Sequence, residues 1–579
     1  MGSFDEPPSG RRAILAGTGF TLAALTLAEP QLASAQGSVQ GTPVNGQADS
    51  GDLTLHRARD LRIALAQRSA AAPVLAAPDN GDEDRYSNRI GADHRGLPHD
   101  ARGEVDPAAW NALTKALASR SSADFEAIPL GGTRRLVGPL TTLASNLLGL
   151  QPRQFAAPPA PALASAARAA EAVEITWQAL LRDVPFAEYR NDTRHSGLLT
   201  AVDELNRLHE FYGPRSGGQV TPESLFRGSV LYRDLADSSG KGGRWAVPPG
   251  TLDGPYVSQF FYRDIPFGAQ SLAARIRTYA PTNEFLTNPT EWLHVQNGHA
   301  PRGRIAHDPL PRFVATGRDL GSYAHGAQGF RSAATQLLFT PASAGGLYPA
   351  AQPPLALNDP YRRLTRLAAS SGAFSGPYAQ SLVELGTSLG IRVAYHHKWW
   401  TARVLRPEAF AGLVQQRLAN QAADYPIHEA YLGSRALERS RATHGSFLLG
   451  QLYPEGAPLH GSYPGGAAIA AAVTATLLKA FIDEAREWPD PVQPDPQDPT
   501  RLVTWKGPKL TLGGELNKFA LNYASGRSWA GIHWRSDAAA AFALGEEVAI
   551  ALLREQQESF AEPFEGFALT RFDGTQVTL

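Results

Sequence analysis

The chain has 579 residues, 43% of them hydrophobic, with 54 basic against 55 acidic side chains and a formal charge of -1. That balance gives no electrostatic case for nucleic acid or an anionic membrane surface as a partner. With no cysteine, disulfides, thiolate metal ligands and thiol nucleophiles are excluded. The first element is SGRRAILAGTGFTLAALTLAEPQLASAQ, where Arg11 and Arg12 precede a mildly apolar stretch and Ala33-Ser34-Ala35 precedes Gln36. This layout predicts a twin-arginine export signal over residues 1–35, with a small-residue cleavage site. Residues 36–52 are polar and Gly-rich, which predicts a flexible segment.

Residues 53–179 read as a helical and irregular extension, in which QPRQFAAPPAPALASAARAA (151–170) is a linker or surface arm entering a helix. Beyond it, apolar residues recur at three- and four-residue spacing in 222–236, 407–421, 467–485 and 537–557, which predicts helices. The Pro/Asp-rich stretch 487–500 predicts an exposed loop, since its prolines cannot continue a helix. Its acidic residues lack the spacing of an EF-hand loop. RLVTWKGPKLTLGG (501–514) is the best hairpin candidate. No segment after the signal is apolar for long enough to span a membrane. The expectation is a mainly α protein with a few short strands, in which 180–579 forms one large helical-bundle domain.

Three segments concentrate unusual side chains. In HHKWWTARVLRPEA (396–409), Lys398 and Arg406 are eight residues apart, close enough on a helix to converge on one anion. In GRSWAGIHWRSD (526–537), Asp537 follows His533 by four residues, a step that lets a carboxylate fix the imidazole tautomer and raise its basicity. Arg527 precedes the same histidine by six. The third, HGSYPGGAAIAAAV (460–473), is a glycine-rich turn opening a helix, a setting whose backbone N–H groups suit anions.

In this order, the three segments resemble the vanadium-dependent haloperoxidases, which share an anion site with the type 2 phosphatidic-acid phosphatases. The Lys398–Arg406 gap is similar to the algal bromoperoxidase and related bacterial pattern. So are GPYVSQFFYRDIPFG (254–268), EFLTNPTEWLHVQNG (284–298), GELNKFALN (514–522) and LGEEVAIALL (544–553). The resemblance implies the family's helical-bundle fold over 180–579. It also implies that Lys398, Arg406 and Arg527 neutralise the oxygens of a bound vanadate or phosphate, with Gly466 in the same loop. His533 is then the vanadium ligand or the phosphorus nucleophile, oriented by Asp537. The middle motif departs from the family's His-Pro-Ser-Tyr-Pro-Ser-Gly-His. Gly465 stands where the hydroxyl would be, and Ala467 where the proton-handling imidazole would be. His460 survives, at a position where algal enzymes carry a second histidine.

A positioned acid/base typically contributes 10²–10⁴-fold, so these losses predict weak halide oxidation from an intact anion site. The leading expectation is therefore a family member of the kind found in meroterpenoid and antibiotic pathways, which no longer halogenates. Such an enzyme isomerises an α-hydroxyketone on a prenylated naphthoquinone-type skeleton by a 1,2-prenyl shift. That reaction requires no cofactor, and it needs a base, assigned to His460, and cations such as Lys398 and Arg406. Trp399, Trp400, Trp529 and Trp534 are candidates to line an aromatic pocket, although core packing explains tryptophans equally. In the isomerase reading the phosphate/vanadate pocket is retained and phosphate can persist on His533; the alternatives are a working vanadium haloperoxidase and a non-catalytic phosphate-binding protein. Scarce sulfur (no cysteine, one methionine) suits exposure to oxidants, and equally the drift of an Ala/Gly/Arg-rich genome. Related enzymes imply a homo-oligomer, a dimer or larger.

Overall fold

The computed structural model describes residues 50–75, 79–144, 149–189, 195–234, 242–281, 284–326, 330–419 and 422–579. The export signal and residues 36–49 lie outside the described residues. The chain divides into two compact units, Met1–His56 and Arg57–Leu579. Of the first, the described residues are helical.

The second unit holds the helices that build the site: α1 (Pro107–Ser119), α2 (Ala166–Leu181), α3 (Gly317–Ala324), α4 (Gly376–His396), α5 (Pro407–Leu418), α6 (Gly466–Phe481), α7 (Leu512–Trp529) and α8 (Arg535–Gln557). Its strands are short and pair only as antiparallel ribbons among the described residues. These are β1 (Val230–Arg233) with β2 (Gly243–Ala246), β3 (Ile265–Phe267) with β4 (Gln270–Leu272), β5 (Val492–Pro494) with β6 (Leu502–Thr504), and β7 (Ala568–Thr570) with β8 (Gln576–Thr578). The protein is thus mainly α.

Helix α6 is the centre of the bundle, packed against α4, α7 and α8. Its sequence explains this position. GAAIAAAVTATLLKAF is apolar on every side, and all of its residues from Ala468 to Phe481 are buried. Alanine side chains let neighbouring helices approach closely, and Gly545 of α8 completes the fit. A Cβ there would lie 2.7 Å from both Ala472 Cβ and Ile469 O.

Several sequence expectations change. Of residues 222–236, those described (222–234) are not helical: Phe226 sits at φ 60, and Val230–Arg233 pairs with Gly243–Ala246 as a ribbon. Val230, Leu231 and Tyr232 favour strand, and local pairing overrides the helical period. The 501–514 hairpin is displaced, because Leu502–Thr504 pairs backwards with Val492–Pro494 and Leu512 already begins α7. The stretch 151–170 is not a loose arm either, since Phe155, Ala157, Ala160 and Leu163 are buried in the main core.

Candidate functional site

Lys398 and Arg406 do not share a helix. Helix α4 ends at His396, and His397–Thr401 form a single π-helical turn. The chain is then extended at Ala402, and Arg406 is the N-cap of α5, with Pro407 at the first helical position. π-turns recur at functional positions because they re-aim side chains within a helix. Here the turn delivers Lys398 inward, and both cations are fully buried.

They close on the glycine-rich turn and on His533. Lys398 Nζ donates to Gly461 O and Ser462 O, each at 2.7 Å. Arg406 Nη1 donates to Ile532 O and to His533 Nε2, both at 2.9 Å. Its Nη2 lies 3.0 Å from His460 Nδ1, and its Nε donates to His460 O at 3.3 Å. On the far side of the ring, His533 Nδ1 lies 2.8 Å from Asp537 Oδ2. The network assigns the tautomer: Nδ1 carries the proton towards Asp537, and Nε2 offers its lone pair to Arg406. His533 precedes α8 instead of lying within it, so Asp537 reaches it from the first helical turn and also accepts from Trp534 N at 2.9 Å.

Burial governs the charges here. His533 is pushed down to about 3, by burial first and then by the Arg406 charge, against the pull of Asp537. His460 falls well below its ordinary range through burial and the charges of Lys398 and Arg406. Lys398 is driven far down by burial and by Arg406. Arg406 drops to about 10 through burial and the neighbouring Arg95. Burial works against ionisation of Asp537, but its bonds with His533 and Ser462 hold it below the usual carboxylate range.

Three residues of this centre escaped sequence reasoning. Ser462 donates its hydroxyl to Asp537 Oδ2. Arg95 donates from Nε to Asp93 at 2.6 Å, from Nη1 to Glu408 at 2.7 Å, and from Nη2 to Pro458 O and His460 O at 2.7 and 3.0 Å. Glu408 in turn accepts from Ala457 N at 2.8 Å. Ser462 lies inside the quoted motif, where its hydroxyl was the available signal. Arg95 carries no signal, because all its partners but Asp93 are more than 300 positions away.

Arg527 is not gathered with the other cations. It is half-buried, makes no hydrogen bond or ion pair with that cluster, and lies over the Tyr453 ring at 5.8 Å. Gly465 caps α6 and donates its N–H to Asp537 O at 2.8 Å, while Gly466 begins the helix. Ala467 packs half-buried against the core. Three of the four tryptophans are core residues. Trp399 donates to Val137 O, Trp534 donates to Leu405 O, and Trp529 meets Phe186 and Phe226 edge-on. Trp400 is half-buried and borders a cleft with His396 and Arg153.

The donor set therefore closes on itself. An oxyanion on His533 Nε2 would have to displace the Arg406 guanidinium. Lys398 commits two of its three N–H donors to carbonyls, and Arg527 lies over the Tyr453 ring. In this arrangement Arg406 holds the Nε2 lone pair that vanadate or phosphate would take, although the residue types for such an anion are all present.

No family model matches the sequence. The chain is 30% identical over 544 residues to a vanadium-dependent bromoperoxidase of Ascophyllum nodosum, covering 90% of this chain and 91% of that one. It is 29% identical over 593 residues to the vanadium-dependent bromoperoxidase of Corallina pilulifera, covering 90% and 97%. In structure it is similar to a homohexameric vanadate-dependent bromoperoxidase of Ascophyllum nodosum, with a TM-score of 0.81, 26% identity, and 93% and 94% of the two chains covered. Ordered motifs, a helical core with matching topology and full-length similarity lead to one conclusion: the chain belongs to the vanadium-dependent haloperoxidase family.

Proposed function

We propose that this family member is an isomerase that rearranges a prenylated α-hydroxyketone on a naphthoquinone-type skeleton without a redox cofactor. One observation carries the reading. The hydroxyl that would hydrogen-bond vanadate and the imidazole that would manage protons are replaced by Gly465 and Ala467, and the histidine lone pair that would meet the metal is held by Arg406 at 2.9 Å. A ketol shift needs a base for the hydroxyl and a cation for the carbonyl, and it consumes no oxidant.

A second reading, a vanadium-dependent bromoperoxidase, draws on the full-length similarity to such enzymes and on the retained Lys398, Arg406, Arg527 and His533. Monochlorodimedone halogenation with vanadate, peroxide and bromide separates the two. Robust activity would replace the isomerase reading with this one. If neither halogenation nor hydroxyketone turnover occurs, phosphate binding without turnover becomes the surviving reading.

The protein is further proposed to leave the cytoplasm by the twin-arginine route. N-terminal sequencing of the exported form should begin at Gln36, and an uncleaved cytoplasmic product would contradict this. Assembly into a homo-oligomer is proposed from the homohexameric neighbour. Among the described residues no helix is long and apolar enough to cross a membrane.

A further inference from the structure

The family cation that the buried centre leaves out, Arg527, stands beside a second chemical cluster. Its guanidinium lies over Tyr453 at 5.8 Å, and Tyr453 stacks on the His325 imidazole with centroids 3.8 Å apart and planes 15° from parallel. His325 bonds on both nitrogens. Nδ1 receives the Tyr279 hydroxyl, and Nε2 lies 2.7 Å from Glu455 Oε1. This is a phenol, an imidazole and a carboxylate in series, the order in which a carboxylate orients an imidazole that accepts a proton from a hydroxyl.

Four separate segments converge to build it. Tyr279 comes from a bridged loop paired with His307, His325 caps the C-terminus of α3, and Glu455 lies just before the glycine-rich turn. Arg527 belongs to the last turn of α7. Exposure distinguishes this cluster from the first. His325, Glu455 and Arg527 are only half-buried, whereas Lys398, Arg406, His460 and His533 are shut in; Tyr279 itself is buried, and its half-buried neighbours form the open side of the cluster. Arg527 has no carboxylate partner among the described residues, so its charge remains available to an incoming oxygen. That charge also acts on Tyr279, which places the two groups within electrostatic reach.

We propose that Tyr279, His325, Glu455 and Arg527 form the acid/base site at which the α-hydroxyketone is rearranged, an assignment that rests on the isomerase reading above. The phenol oxygen of Tyr279 takes the substrate hydroxyl proton as it passes its own to His325 Nδ1, and Glu455 holds the resulting imidazolium. The alkoxide oxygen then forms a carbonyl, and the migrating carbon moves with its bonding pair to the adjacent carbonyl carbon. That carbon's oxygen becomes an alkoxide held by Arg527 and recovers the proton through Tyr279. One C–C bond breaks, one forms, and no electrons leave the substrate.

The test uses the full chain and a synthetic prenylated α-hydroxyketone of the naphthalenedione type. Tyr279→Phe keeps the ring packing and removes only the hydroxyl. It should lower kcat by about 10²-fold or more, the usual contribution of a positioned acid/base, with an unchanged melting temperature. Arg527→Gln should lower kcat comparably. Glu455→Gln, which acts through His325, should lower kcat while KM stays constant. If the wild-type protein turns the substrate over and both Tyr279→Phe and Arg527→Gln retain full rate, this assignment is overturned while the isomerase reading stands. Loss of turnover in Lys398→Met alone would move the chemistry to the buried centre and also overturn it. Absence of wild-type turnover overturns the reading and the assignment together.

Discussion

Lowering the pH from 7 to 5 should destabilise this protein, and His533 sets a countable part of the effect. In the folded chain its imidazole is held neutral down to about 3, whereas its ordinary value is 6.5. A folded value below the unfolded one means that the unfolded chain binds the extra proton, so stability falls as pH falls through 6.5. At ~1.4 kcal/mol per pH unit, the interval from 6.5 to 5 removes about 2 kcal/mol for this single group. The magnitude requires only that the folded value lie below 5, towards which burial and then the Arg406 charge both push it. The assay is urea denaturation of wild type and His533→Gln at pH 7, 6 and 5. Compared as slopes, the variant should lose stability less steeply, by about one proton's worth, or ~1.4 kcal/mol per pH unit. His94, His99, His396 and His397 are similarly pushed down, to about 4, 3, 4 and 4, so the variant keeps a residual slope. Equal slopes in the two proteins would refute the assignment of a neutral, Arg-capped His533.

Three further outcomes follow from the same contacts. Ser462→Ala removes a hydroxyl donor from Asp537, whose Oδ1 is already buried without a protein partner, and should cost about 2 kcal/mol in denaturant titrations. Arg95→Met strands the buried Asp93 and Glu408 carboxylates and should cost about 3–5 kcal/mol, read as a lowered Tm that an exposed control such as Arg59→Met does not show. The double variant Gly465→Ser/Ala467→His should fold with a penalty of about 1–2 kcal/mol, since a Cβ at 465 meets Asp537 O at 3.3 Å. If Gly465 and Ala467 limit halide oxidation, that variant should brominate monochlorodimedone better than wild type. No gain would show that Arg406 on His533 is the greater obstacle.

The helices α5, α6 and α8 were legible because their apolar residues recur at the helical period and nothing competes with it. The site's cast was legible as well, since Lys398, Arg406, His460, His533 and Asp537 meet as their motifs imply. Their geometry was not. The eight-residue step from Lys398 to Arg406 reads as two helical turns, but a π-turn and an extended segment intervene, and periodicity carries no mark of either. The ribbon at Val230–Arg233 was hidden because its pairing with Gly243–Ala246, not its own periodicity, decides its conformation. Tyr279, His325 and Glu455 share no motif, so only the fold brings them together.

Arg95 gives the segment before residue 180 an unexpected standing. Its guanidinium ties Asp93 to Glu408 on α5 and to the carbonyls that lead into the glycine-rich turn. Glu171 of α2 likewise accepts from Ser536 N beside Asp537. A version trimmed to the helical bundle alone would therefore lose the floor of its own centre. The part that looks like an appendage in the sequence acts as a keystone, and shortening the protein from that end would undo the arrangement of His533 before it touched the bundle.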